Sequence, residues 1–180
     1  MTPSPTRCVP GSRRRWRKLA DKRKSVTARL AELGVALPPC PAPLGAYVPT
    51  VRDGGLIYTS GMLPMADGVL TLTGPVGPGG HPAERGAEAA RLCALNALAA
   101  IAAELGGVEG LERVARVIQV TGHVLSAPGF ADQPQVLNGA SDFLFQVFGE
   151  RGRHTRMALG AAALPRGASV ELAVVVRVEP

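Results

Sequence analysis

One strand-length run near the C-terminus, Val170-Glu171-Leu172-Ala173-Val174-Val175-Val176, constrains this chain more than any other segment. It is β-branched and apolar at nearly every position, as in a strand covered on both faces rather than one alternating between core and water. Ahead of it a small-residue apolar stretch, Thr155-Arg156-Met157-Ala158-Leu159-Gly160-Ala161-Ala162-Ala163, leads into the turn Leu164-Pro165-Arg166-Gly167, so the two segments read as a hairpin. Two charges, Arg156 and Glu171, therefore fall where burial should exclude them. A charge in apolar surroundings costs several kcal/mol unless it is paired, and a bound ligand can be the partner.

Upstream, the periodicity switches repeatedly. Ser25 is placed to cap a short helix with Val26, Leu30 and Leu33 on one face, and Pro38-Pro39-Cys40-Pro41-Ala42-Pro43 is a stiff connector. Strands are expected over 46–52 and 56–60, joined at Asp53-Gly54-Gly55, with a further arm over 69–73. Pro82 opens the main helix, whose apolar face (Ala89, Leu92, Cys93, Leu95, Ala99, Leu105) runs to Gly106-Gly107. A long strand over 114–124 and an amphipathic helix from Val136 to Phe148 precede the Arg156 segment. The order ββ(β)αβαββ predicts an α+β single domain, a mixed sheet with two helices packed on one face. Helices on one face leave the other face of the final strand in need of a cover, supplied by another subunit or by a loop of the same chain.

Composition narrows the function. Nine of the 20 Lys/Arg and one of the 14 acids lie in residues 1–24, so the net charge of +6 divides into +8 on a basic arm and −2 on the rest. The arm, with Pro3, Pro5, Pro10 and Gly11, is expected to be disordered, and nucleic acid would be reached only through it. Cys8, Cys40 and Cys93 have neither metal-ligand nor disulfide spacing, which fits a reducing, cytoplasmic compartment. His81, His123 and His154 are scattered, and no metal site is expected. The apolar stretch 92–105 is too short to span a bilayer, and no apolar run follows the Arg13-to-Lys18 cluster, which argues against a secretory signal.

Several short motifs then fall in a recognisable order: Gly45-Ala46-Tyr47, Thr59-Ser60-Gly61, Asn138 eighteen residues before Arg156, and Arg156 eight residues before Leu164-Pro165 and fifteen before Glu171. From about Leu44 to Val178 the chain resembles the Rid family, the reactive-intermediate imine and enamine deaminases also called the YjgF or L-PSP family. The resemblance divides the chain into an arm (1–24), a helix and Pro-rich connector (25–43) and a Rid-like domain (44–180). It implies a chorismate-mutase-like fold, a homotrimer, and hydrolysis of 2-imino or 2-enamino acids to 2-keto acids and ammonia without metal or organic cofactor. Arg156 would hold the substrate carboxylate, Glu171 would position or activate water, and Tyr47, Ser60, Gly61 and Asn138 would orient the planar imine. Some relatives are described as ribonucleases. The chain departs from the pattern at Ala158, where active deaminases often carry Cys, at Met62 in place of Gln, and in a loop before Arg156 that is one residue longer.

Each of these residues also has an ordinary reading. Arg156 could pair with Glu171 or sit exposed at a strand end; Glu171 could be a solvated acid, Tyr47 packing, Ser60 a turn residue and Asn138 a helix cap. In a hairpin, residue 171 would face about residue 162, leaving Arg156 roughly 20 Å away along its strand. A pocket lined by both would then have to draw them from neighbouring subunits.

Overall fold

The computed structural model of the protein describes residues 24–179. All of the basic arm except Lys24, whose Nζ pairs with Glu32 at 2.6 Å, lies outside the described residues. Helix α1 (Val26–Glu32) is capped by Ser25, whose hydroxyl accepts from the Ala28 N–H. Strands β1 (Thr50–Asp53), β2 (Leu56–Thr59), β3 (Met65–Ala66) and β4 (Val69–Leu70) precede α2 (Ala83–Glu104). Then come β5 (Val114–Leu125), α3 (Gln133–Phe148), β6 (Thr155–Ala161) and β7 (Val170–Val178).

The five-stranded sheet has the order β1-β2-β7-β5-β6. The apolar final strand thus lies inside the sheet, antiparallel to both β2 and β5. This corrects the expected hairpin: β6 pairs in parallel with β5, not with β7. Parallel pairing follows from the connection, because α3 carries the chain back over the sheet between β5 and β6, and a crossover helix delivers parallel strands. One flank of β5 is then taken by β6 and the other is left for β7. The strand with small residues and an Arg becomes the edge; the β-branched strand becomes the interior.

Helices α2 and α3 cover one sheet face. Val120, Val124, Leu172, Val174 and Val176 are buried beneath them with Leu98, Ile101, Leu137, Phe143 and Leu144. The helices approach closely because small residues line their contact; a Cβ on Gly139 would run into the carbonyl of Ala87. By length and apolarity α2, with 22 residues and a hydropathy of 1.3, could cross a membrane, contrary to the expectation from 92–105. Two-thirds of its apolar 18-residue window is buried within the protein, as in a core helix.

The other sheet face has no cover among the described residues. One row runs through all five strands as Val51, Tyr58, Val175, Gln119 and Thr155. Beside it Ile118, Met157 and Leu159 are 37%, 48% and 40% exposed. The alternation on β7, buried then half-buried, matches a sheet covered on one side only.

Two boundaries differ from expectation. β1 starts at Thr50 rather than at residue 46, since Pro49 has no N–H for a ladder and residues 44–47 bend. The arm expected over 69–73 shortens to a two-residue ribbon with β3, turned at Asp67 (φ 50°) and Gly68 (φ 78°) in the left-handed geometry of a tight turn.

Candidate functional site

Arg156 stands on edge strand β6, on the face that meets α3. Its Nη1 donates to Asn138 Oδ1 and Ser141 Oγ, both at 3.0 Å, and its Nη2 donates to the Pro134 carbonyl at 3.1 Å. All three acceptors are neutral groups on one helix, so the guanidinium is fixed without its charge being cancelled. Of its five N–H donors, Nε–H and one on Nη2 have no partner among the described residues. Burial pulls the Arg156 pKa down, opposed by the nearby Asp142 carboxylate. The cleft beside it is about 420 Å³ and is lined by Asn138, Ser141, Asp142, Phe145, His154 and Arg156, among others. Asn138 is not the helix cap; it lies within α3, six residues past Asp132 at the N-cap.

Glu171 lies on the opposite, open sheet face. It is paired in register with His123 of β5, which in turn faces Leu159 of β6. From Arg156 it is two strands across and three residues along, about 14 Å between backbones by strand geometry, rather than the longer hairpin separation expected. The two side chains point to different faces of the sheet, so within one chain they share no pocket. Neither pairs with the other, and neither is simply a solvated strand-end charge.

A second cleft, about 410 Å³, gathers Leu44, Tyr47, Ser60, Gly61, Leu63, Pro165 and Glu171. Its construction explains the residue types. Glu171 crosses directly over Gly61, where any Cβ would collide with the carboxylate. Just beyond, Met62 and Leu172 exchange backbone hydrogen bonds at 2.7 and 3.1 Å, which carries the chain after β2 alongside β7. Buried Asn96 of α2 clamps this segment, its Nδ2 donating to the carbonyls of Leu63 (2.9 Å) and Met65 (3.0 Å). Ser60 donates to the Val48 carbonyl at 2.7 Å, so its lone pairs remain able to accept. Tyr47 accepts the Leu44 N–H at 3.0 Å, so its own proton remains able to donate.

Half-buried Glu171 makes no hydrogen bond or ion pair to any described residue. Burial raises its carboxyl pKa above the ordinary value, and His123 partly offsets the rise. A carboxylate left without partners in a cleft and held toward neutrality is suited to general-base work. The tyrosine, serine, glycine and glutamate named from sequence are thus brought together, and the asparagine and arginine together elsewhere.

Sequence reasoning missed Ser141 and His154, which stand behind Arg156. The 3.0 Å contact between Ser141 Oγ and His154 Nε2 spans thirteen residues, across the 3-10 turn Gly149–Gly152, and no periodicity reports it. The departures from the family pattern also find places. Met62 is buried in the core, and Ala158 packs at the edge of the same core. Cys93 is buried, its thiol pushed well up by desolvation and then by Glu171. No group of three or more potential metal ligands occurs among the described residues.

A model of the family described as "YjgF/chorismate mutase-like, putative endoribonuclease" matches residues 27–176. The chain belongs to this YjgF-like family. It is 43% identical over 148 residues to Protein TCP17 of Trypanosoma cruzi, covering 82% of this chain and 90% of that protein. A crystal structure from Agrobacterium tumefaciens, of a protein with unknown function, is 39% identical with a TM-score of 0.78, over 93% of this chain and 99% of that one. A "putative endoribonuclease" from Shewanella oneidensis is 30% identical with a TM-score of 0.81, over 86% of this chain and 100% of that one. The YjgF-like assignment establishes the chorismate-mutase-like α+β fold expected from the motif order.

Proposed function

We propose that this protein is a cofactor-free deaminase of 2-imino and 2-enamino acids of the 2-aminoacrylate type, working in clefts completed between the subunits of a homotrimer. The observation that carries the reading is the division of labour between the two clefts. One holds a cationic fork with two donors that have no partner among the described residues; the other holds a raised carboxylate with a tyrosine proton and a serine lone pair beside it. Neither half suffices alone. Apposing the Arg156 cleft of one subunit to the Glu171 cleft of the next supplies both, and the uncovered face bearing Tyr58, Met157 and Leu159 gives the subunits a reason to associate.

In that composite site the guest's carboxylate takes the remaining N–H donors of Arg156. Glu171 accepts one water proton as the water oxygen bonds to C2 and the C=N π pair moves to nitrogen, and it returns that proton to nitrogen to give the neutral carbinolamine. Glu171 then takes the carbinolamine hydroxyl proton as C=O re-forms and hands it to nitrogen as C–N breaks, so that ammonia leaves and Glu171 is again ionised. An enamine first takes a proton at C3 from solvent water and releases one from nitrogen to solvent, which makes it the imine. Tyr47 is placed to donate to the imine region and Ser60 to accept from it.

Purified protein is expected to accelerate ammonia and keto-acid release from freshly generated 2-aminoacrylate, and Arg156→Ala to abolish the acceleration. Equal rates in the two proteins would end the enzyme reading. A second reading, a trimer that binds small carboxylates without turnover, is favoured by Ala158, whose methyl group transfers no proton where active deaminases often carry Cys. It predicts binding of 2-ketobutyrate with no ammonia release. An RNA-directed activity, suggested by the family description, predicts binding that vanishes on deletion of residues 1–24 and falls steeply with salt.

A further inference from the structure

We infer that Ser141 and His154 are positioning residues for Arg156: a neutral His154 with its proton on Nδ1 orients the Ser141 hydroxyl so that its oxygen faces Nη1, which leaves the Nε–H side of the guanidinium for a guest. The inference rests on the carboxylate-holding role proposed for Arg156.

The hydrogen-bond chain has one consistent polarity. His154 Nδ1 lies 2.7 Å from the Gly152 carbonyl, which can only accept, so Nδ1 carries the proton. In a neutral ring Nε2 then offers a lone pair, and the Ser141 hydroxyl 3.0 Å away must donate to it. With its proton committed, Ser141 turns lone pairs to Arg156 Nη1, also at 3.0 Å. Asn138 Oδ1 takes the other Nη1 hydrogen. Nη1 is therefore saturated by the protein, and the free donors are confined to Nε and Nη2. The reverse tautomer would set two lone pairs against each other across 2.7 Å.

The surroundings keep the ring neutral. Burial lowers the His154 pKa first, the Gly152 carbonyl opposes this, and the Arg156 charge lowers it further. The charged groups lining the clefts around His154 are Asp142 of α3, Arg116 of β5, and Arg153 and Arg156 on its own segment. Arg153 is paired with Glu150 at 3.2 Å.

The test uses the full chain, 15N-labelled, with 2-ketobutyrate as the probe. Long-range 1H–15N correlation should show His154 as the Nδ1–H tautomer in wild type, with a higher pKa in Arg156→Ala. Ser141→Ala and His154→Asn should weaken 2-ketobutyrate binding by about tenfold, the scale of one hydrogen bond to a charged group. In turnover they should raise KM more than they lower kcat. His154→Gln, whose amide oxygen reaches the place of Nε2, should restore most of the loss. An Nε2–H tautomer overturns the inference. So does wild-type affinity in Ser141→Ala alongside lost binding in Arg156→Ala, which would leave the carboxylate role of Arg156 standing. Wild-type affinity in Arg156→Ala removes both. If His154→Asn does not fold, the wild-type tautomer and Ser141→Ala decide.

Discussion

The Arg156 and Glu171 clefts bury opposite charges by opposite means. Arg156 is held by three hydrogen bonds to one helix, each to a neutral acceptor, so its position is fixed while its charge stays available. Glu171 has no hydrogen bond at all among the described residues, and its position comes from the backbone of β7 and from the space that Gly61 leaves. The contrast fits two tasks. An anchor must not move and must not lose its charge, whereas a base must be able to take up and give back a proton, which hydrogen bonds to its ionised form would oppose.

The sharpest way to break this comparison is to remove the anchor. Arg156→Ala deletes two charge-assisted bonds to a guest and should lower kcat/KM by about 100-fold or more. Arg156→Lys keeps the charge but cannot reproduce the fork, and should recover only a small part of the loss in the same ammonia-release assay. Recovery to near wild type would mean that charge alone matters and that the three helix contacts do not position anything.

Next in size is separation of the clefts. Leu159 lies on the uncovered face, in register with His123 and Glu171, and is 40% exposed. Leu159→Asp puts a charge into the contact proposed between subunits, where burying it costs several kcal/mol. Analytical ultracentrifugation should show a shift toward monomer, with activity falling in proportion and both clefts individually unchanged. Full activity in a monomeric variant would show that one chain suffices and would sink the composite site.

A smaller effect is expected at the Glu171 cleft itself. Gly61→Ala drives a Cβ into the carboxylate, which must swing away. We expect kcat to fall about tenfold while KM, set by Arg156, changes little. A rise in KM without loss of kcat would assign Glu171 to binding instead of proton transfer.

How much of this was readable follows from which interactions are local. The buried face of β7 and the helical faces of α2 and α3 are carried by consecutive residues, so periodicity exposes them, whereas the cover expected on the second face of β7 is not found among the described residues. The pairing of β6 with β5 is not local. Chain adjacency through Leu164-Pro165 favours a hairpin, and only the crossover of α3 dictates otherwise. That difference also relocates the site argument. Arg156 and Glu171 are apart because they point to opposite faces, not because they lie at far ends of a ribbon. Pro49 should have warned that β1 begins after it. The Ser141–His154 contact had no local signal, since it closes over the turn at Gly149–Gly152.

The smallest expected effect tests how burial acts on Glu171 apart from chemistry. Its folded-state pKa is raised, so between the unfolded value and the folded one the native state binds more protons than the unfolded chain. Stability from this group is therefore greatest below about pH 4.5 and declines as pH rises through the folded pKa. Glu171→Gln should raise Tm at pH 7.5 by about 1–2 °C, a modest figure because the side chain is only half-buried and solvent screens it. The gain should vanish as pH falls below the ordinary carboxylate range, while ammonia release stays lost at every pH. If the variant instead lowers Tm at neutral pH, the carboxylate is stabilised by partners in the assembly, and the picture of an uncompensated base fails even where the anchor survives.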